Sequence, residues 1–536
     1  MHISKLTLAV ATVLGAGISS SAFAIDLYVD VKTKQIYAEP GPHRQRMGSF
    51  ERVEDVPAKT TQEEAKNASE IAAIREEMAL KDNQIKALEE HAQEASGPES
   101  VHVKLDDGIH FATKDGNFTA GINGRMQVDS QTNINNQVAP ATGSSLPNEL
   151  NDGVAIRRAR LGIEGTFFKN TDYKFEYDFT RGNGTTAAGV TDAFIRYNFS
   201  KPFSVKFGSF KEPFSLEEAT SNRYITFIER NMITNAFVDD LNTYKVGIGA
   251  NYAAERWQAA TSLQTEPVGN NGASNSATVN GTNPNGGVNR SGGTGDTGWE
   301  VNARVSGLPW MESKTKFWHV GASGSYISLN NNYAANGVFS NGGVSFARGL
   351  DNNVDRTNIL NTGNLTSGTN GAANWREANH LTRFGAETAL VYGPFSVQGE
   401  YIATNVSGKG YDGDTLDGYY AYMTYFLTGE SRAYKAKTGA WDRIKPNHNF
   451  DMKGGWGAWE LATGFDSIDL ESGPIHGGKA QTAKFGINWY PNSHLRVMAN
   501  YVHALDINTG DVANSRSRAF NNADLDVIET RVQVDW

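Results

Sequence analysis

The chain has 536 residues, no cysteine and a formal net charge of -10. The acidic balance argues against a general nucleic-acid binder, and the lack of cysteine removes disulfides and thiolate metal sites. Glycines number 56 against 15 prolines, and aromatics reach 10%, which suits twisted strands, tight turns and interfacial aromatic girdles.

Taken in chain order, the N-terminus reads as a secretory signal. Lys5 sits in a short basic region, Leu6 to Ile18 is apolar, and Ala22-Phe23-Ala24 forms a small-residue cleavage site. Residues 1–24 are expected to be removed, leaving a chain that begins near Ile25. The apolar run is shorter than the roughly 20 residues a spanning helix needs, and no later run reaches that length. Residues 25–58 read as short β-like pieces around Leu27-Tyr28-Val29 and Gln35-Ile36-Tyr37, broken by Pro40-Gly41-Pro42. Residues 59–96 read as a periplasmic helix rich in Glu, Ala and Lys. Ile71, Met78, Ile85 and Ala92 lie seven apart, with Ile74, Lys81 and Leu88 between them, an a/d seam with one charged interruption. The seam predicts a short coiled coil, three-stranded if the attached domain is a trimer. A solvated linker helix, touching peptidoglycan or another periplasmic surface, is the alternative.

From residue 105 to 536 the chain is strand-dominated. Spanning strands are predicted at 117–130, 154–168, 171–180, 190–199, 203–211, 245–254, 257–265, 299–307, 316–329, 380–392, 395–406, 417–428, 456–470, 479–490, 495–505 and 525–536. The last is the clearest. Ile528, Thr530, Val532, Val534 and Trp536 share one face, while Glu529, Arg531, Gln533 and Asp535 share the other. A strand with one oily and one charged face separates two media, and sixteen of them predict an all-β, antiparallel transmembrane barrel. Thr171, Gly393-Pro394 and Pro491-Asn492 mark tight turns. Residues 266–297 and 330–378 read as Gly/Asn/Ser/Thr-rich loops on the outer face. The connection 212–240 differs, mixing aromatic, acidic and basic residues, and suggests a third loop folded into the barrel.

Apolar parity assigns the lumen. Lys174, Glu176 and Asp178 alternate with outward Tyr173, Phe175, Tyr177 and Phe179. Arg158, Arg160 and Glu164 fall inside by the same rule, as do Arg125, Arg196, Arg304, Arg383, Arg496 and Arg531. So do Asp192, Glu300, Glu387, Glu400, Glu460 and Glu529, so the wall carries both signs. Arg157 has outward parity. It must lie at a membrane boundary, at a subunit interface or on a bulge, because a lipid-facing charge at mid-membrane costs about 2–4 kcal/mol. Lys206, Lys211, Arg223 and Arg230 lead into and follow the 212–240 connection, accompanied by Glu212, Glu217, Glu218 and Glu229.

Four segments in order give this chain a family resemblance. They are Arg157-Arg158-Ala159-Arg160-Leu161-Gly162-Ile163-Glu164-Gly165, Phe210-Lys211-Glu212-Pro213-Phe214-Ser215-Leu216-Glu217, Tyr425-Phe426-Leu427-Thr428-Gly429-Glu430 and Gly454-Gly455-Trp456-Gly457-Ala458-Trp459-Glu460-Leu461. They resemble the phosphate-selective porin O and P family over about residues 105–536. The resemblance implies a sixteen-stranded trimeric barrel, an inward third loop, and arginines and lysines that guide anions through a constriction. By motif, Arg157 and Arg158 match its paired arginines. Lys211 matches the lysine opening the inward loop, and Arg223 a basic position further along.

The expected function is therefore a porin in the outer membrane of a Gram-negative bacterium, passing small hydrophilic solutes and favouring inorganic anions such as phosphate, with no cofactor. The pore residues are expected to be Arg157, Arg158, Arg160, Lys206, Lys211, Arg223 and Arg230. An enzyme is not expected: G-x-S-x-G and H-E-x-x-H are absent, and His319, His380, His448 and His503 show no catalytic or metal-ligand spacing. A cation porin and a structural or adhesive barrel stand as alternatives.

Overall fold

A computed structural model describes residues 25–50, 72–87, 101–105, 108–138, 149–180, 189–239, 244–265, 298–333, 336–351 and 354–536. The expected signal peptide, much of the helical seam and the 266–297 loop lie outside these residues. The chain divides into two compact units, Met1–Ala95 and Ser96–Trp536.

In the first unit, Ile25–Asp30, Ile36–Tyr37 and Arg44–Phe50 form an antiparallel three-stranded sheet with the first strand central. The third strand follows the Pro40-Gly41-Pro42 break and was not anticipated. A helix covers 72–87, and its Ile74, Met78 and Ile85 are all exposed.

The second unit is a closed antiparallel barrel of sixteen long strands. We number them β1 (Phe118–Gln137), β2 (Gly153–Phe167), β3 (Thr171–Asp178), β4 (Gly189–Asn198), β5 (Phe203–Lys211), β6 (Tyr244–Ala253), β7 (Trp257–Gln264) and β8 (Trp299–Ser313). They continue with β9 (Lys316–Ser328), β10 (Glu377–Tyr392), β11 (Phe395–Lys409), β12 (Tyr411–Phe426), β13 (Ala458–Ser472), β14 (Ile475–Asn492), β15 (Leu495–Asn508) and β16 (Asp524–Asp535). Each strand pairs with its chain neighbours, and β16 closes on β1 from Asp524↔Gln137 to Asp535↔Arg125. The terminal Trp536 extends this ladder by exchanging backbone hydrogen bonds with Gly124 at 3.0 and 3.1 Å. Below that point the short strand Ile109–Thr113 takes over the same edge of β1. Closure leaves no open edge, the condition for crossing a bilayer with strands.

Burial follows the predicted alternation. In β16, Val527, Glu529, Arg531, Gln533 and Asp535 are buried while Ile528, Val532, Val534 and Trp536 are exposed. Several strands run longer than expected, β1, β8 and β14 by six residues each. The added ends carry mixed polarity and give no membrane signal in the sequence.

Two connections correct the sequence reading. The 330–378 segment is not simply a polar outer-face loop. Its Val344, Phe346, Leu350, Ile359, Leu360 and Leu365 are buried in one apolar cluster with Ile233, Phe237 and wall residues. Six apolar residues scattered among Gly and Asn show no periodicity, so nothing in the sequence marked them. The second correction lies at the end of the tight turns, the periplasmic end of such barrels. There β12 and β13 are joined by a long segment, 427–457, close to the 429–455 gap between the predicted strands; what differs is that it packs against the inward connection, with Trp441 buried.

Candidate channel lining

The β5–β6 connection builds the site. It has little regular structure of its own, so its backbone groups need partners. The wall supplies them. Leu216–Ala219 makes one helical turn, and Glu400 of β11 accepts the backbone N–H of Leu216 at 3.0 Å and of Glu217 at 2.7 Å. Wall arginines donate to its carbonyls: Arg496 to Ile225 at 2.6 Å, Arg531 to Ile228 at 2.6 Å and Arg383 to Phe237 at 2.7 Å. Its apolar side chains Phe227, Met232, Ile233 and Phe237 are buried beside Phe346 and Leu350 of the long loop, with Phe237 edge-on to Phe346 at 5.6 Å.

Segment 427–457 meets the same connection from the turn end. The Trp441 N–H donates to the Thr220 hydroxyl at 3.2 Å, Arg432 lies 3.9 Å over the Trp441 ring, and Arg304 donates to the Gly439 carbonyl at 2.6 Å.

The predicted basic residues gather around this connection, most of them held by carboxylates. A bulge in the β1–β2 ladder falls at Arg157: Gln127 pairs with Arg158, whereas Val128 pairs with Ile156. The bulge turns Arg157 inward and explains its outward parity, since an extra residue shifts the alternation by one. Arg157 then binds both oxygens of Glu229, at 2.8 and 3.0 Å. Arg158 donates to Gln127 at 2.9 Å and lies 3.7 Å from Glu229. Arg531 reaches Glu229 at 3.1 Å and Asp129 at 2.6 Å. One carboxylate is thus divided among three guanidinium groups.

Arg160 pairs with Asp178 at 2.7 Å and Glu176 at 3.0 Å, and Arg125 also binds Glu176. Lys211 and Arg230 share Glu218, Arg230 at 2.9 Å. Arg223 lies within electrostatic reach of the Arg125–Glu176 pair, 3.2 Å from the Gly124 carbonyl and 3.6 Å from Asp535. Lys206 is separate, its ammonium packed 4.0 Å over the Phe210 ring.

Sequence reasoning missed Arg348, Arg356, Lys245, Lys484, Arg432 and Arg443. Lys245 and Lys484 have inward strand parity and were legible. Lys245 pairs with Glu300 at 2.5 Å, and Lys484 with Asp466 at 2.9 Å. The others sit on connections with no period to read. Arg348 donates to the Asn235 carbonyl at 2.8 Å, and Arg356 lies within electrostatic reach of Arg157 and Arg348. Burial, then the nearby charge of Arg157, hold the Arg356 guanidinium below its ordinary pKa. His319 is an inward structural group, 2.9 Å from Glu387 and 2.7 Å from the Tyr434 hydroxyl.

A closed wall of sixteen strands with a charged interior and an apolar exterior is an outer-membrane β-barrel channel. The chain belongs to the phosphate-selective porin O and P family, whose model matches residues 122–536. Porin O of Pseudomonas aeruginosa is 27% identical over 429 residues, which cover 75% of this chain and 87% of that protein. Among solved structures, the outer membrane channel DcaP of Acinetobacter baumannii is 12% identical, covering 80% of this chain and 99% of that one at a TM-score of 0.44. An anion-selective porin from Comamonas acidovorans is 10% identical, covering 78% of this chain and all of that one (100%) at a TM-score of 0.43. The protein is a porin of the Gram-negative outer membrane.

Proposed function

We propose that this porin passes small inorganic anions, phosphate among them, by passive diffusion through a constriction formed by the β5–β6 connection as an inward third loop. The observation that carries the reading is the sharing of Glu229 by Arg157, Arg158 and Arg531. A single carboxylate cannot neutralise three guanidinium groups. Arg531 has Asp129 as a second partner, so the surplus falls on Arg157 and Arg158. Arg356, on the long loop, lies within electrostatic reach of both Arg157 and Glu229. In a narrow, low-dielectric passage such a surplus raises the local anion concentration. Guanidinium donors match phosphate oxygens without any proton transfer.

Arg157 is the contact residue of this set, because its side chain keeps 23% exposure against 4% for Arg158. Arg160, Lys211 and Arg230 act as wall and loop fasteners that set the width of the passage. Arg223 and Lys206 extend the basic path toward the turn end. The barrel works as a homotrimer, and the exposed seam of the 72–87 helix joins three copies in a periplasmic coiled coil, Ile74, Met78 and Ile85 facing inward.

The test is single-channel recording in a planar bilayer under a KCl gradient, followed by phosphate titration. A reversal potential of chloride sign, with current falling as phosphate is added, supports the anion reading. Cation preference with no phosphate effect refutes it and leaves a general porin.

A further inference from the structure

Among the described residues, one cluster outside the channel interior brings metal-ligating groups together. At the loop end of the outer face, His503 of β15 and Asp526 of β16 are direct cross-strand partners. Asp526 is in turn opposite Asn135 of β1. Asp524 precedes Asp526 by two residues and shares its face. One ligand atom from each of His503, Asp524 and Asp526 lies within 4.8 Å of the other two. His503 Nδ1 is 2.7 Å from Asp526 Oδ1, and the Tyr501 hydroxyl donates to the same oxygen at 2.6 Å.

The location makes this more than a surface ion pair. Further down the same face of β16 come Ile528, Val532 and Val534, all exposed for contact with lipid. Two carboxylates set beside such a face repel each other, and one imidazole answers only one of them. We propose that His503, Asp524 and Asp526 bind a divalent transition-metal cation of the zinc class at the outer rim of the barrel. One imidazole nitrogen with two carboxylate oxygens is a donor set for such ions, whereas calcium and magnesium prefer oxygen alone. The ligands stand on paired strands, which hold them within reach of one ion. Tyr501 orients Asp526 as outer-sphere hydrogen bonds orient metal carboxylates. Asp524 is exposed and opens the site to water, which fills the remaining positions.

The experiment is calorimetric titration of the untagged, detergent-solubilised full chain with ZnCl2. One saturable site per chain is expected, weakened at least tenfold in His503→Ala, Asp524→Asn and Asp526→Asn, and unchanged in His476→Ala. All four variants should keep wild-type conductance, because the site faces away from the channel. The proposal is overturned if no saturable site exists. It also fails if the site survives His503→Ala, or if the Asp524→Asn and Asp526→Asn variants bind as the wild type does.

Discussion

The two sides of the barrel interior are built differently. Along β11 to β14 the inward residues are buried from one end to the other: Ser396, Gln398, Glu400, Ile402 and Thr404 on β11, Glu460, Asp466 and Ile468 on β13, Thr482, Lys484 and Asn488 on β14. The β5–β6 connection and the long loop cover them. Across the barrel, the turn-end halves of β2 to β5 leave their inward charges partly exposed. Lys174 pairs with Asp192 at 2.8 Å with 25% exposure, Arg196 pairs with Asp172 at 2.6 Å with 42%, and Lys206 lies within electrostatic reach of Asp192, Arg196 and Lys174. The first side is a protein core with charges buried in it, and the second is a wetted wall. Only the second keeps exposure on its inward charges, and the ion path proposed above follows it, so the same kind of substitution should alter stability on one side and selectivity on the other.

The largest effect is expected on the packed side. Arg383→Met leaves Glu212 with Lys245 at 3.6 Å as its nearest cation. Breaking a buried pair in this way costs about 3–5 kcal/mol, and the denaturant midpoint of the folded barrel should fall accordingly. Phe237→Ala opens a cavity against Phe346, at about 3 kcal/mol or somewhat more. It should loosen the long loop, seen as faster proteolysis within 336–376 and noisier open-channel current. A smaller, pH-dependent effect is expected at Asp355. Burial raises its pKa, but the Thr357 hydroxyl and amide and the Asn151 amide outweigh that and hold it below the ordinary 3.8. Its contribution to loop docking is therefore present above that value and lost as pH falls through the lowered one. Protease resistance of the loop should drop in acid in the wild type and show no such step in Asp355→Asn. The smallest stability effect belongs to the wetted wall. Lys206→Gln removes the charge and the ring contact with Phe210, should cost about 1 kcal/mol of stability, and should move the reversal potential toward cations. A large loss of stability there would erase the contrast between the two sides.

Strand number, closure and most of the inward set were legible because period-two alternation is a direct trace of two solvents. Arg157 shows where that trace fails. A bulge shifts parity by one, and a single sequence carries no mark of a bulge, although it was one of three readings open for that residue. The buried part of the long loop and the 427–457 segment were not legible for a related reason. Their apolar residues, such as Phe346 and Trp441, dock into a space made by other strands and follow no local period. The charge balance was equally hidden. Counting gave mixed signs, whereas the pairing of Arg157, Arg158 and Arg531 with one Glu229 depends on a loop that meets two distant strands.

Ions are expected to move along the β2–β5 side. The chain has no cysteine of its own, so single cysteines report cleanly. Single-channel current should be recorded for Lys206→Cys and Thr404→Cys during exposure to a negatively charged thiol reagent. Lys206→Cys should react and its chloride current should fall, while Thr404→Cys, 0% exposed on the packed side, stays silent. A current block in Thr404→Cys with no change in Lys206→Cys would place the pathway on the other side of the barrel and contradict the account.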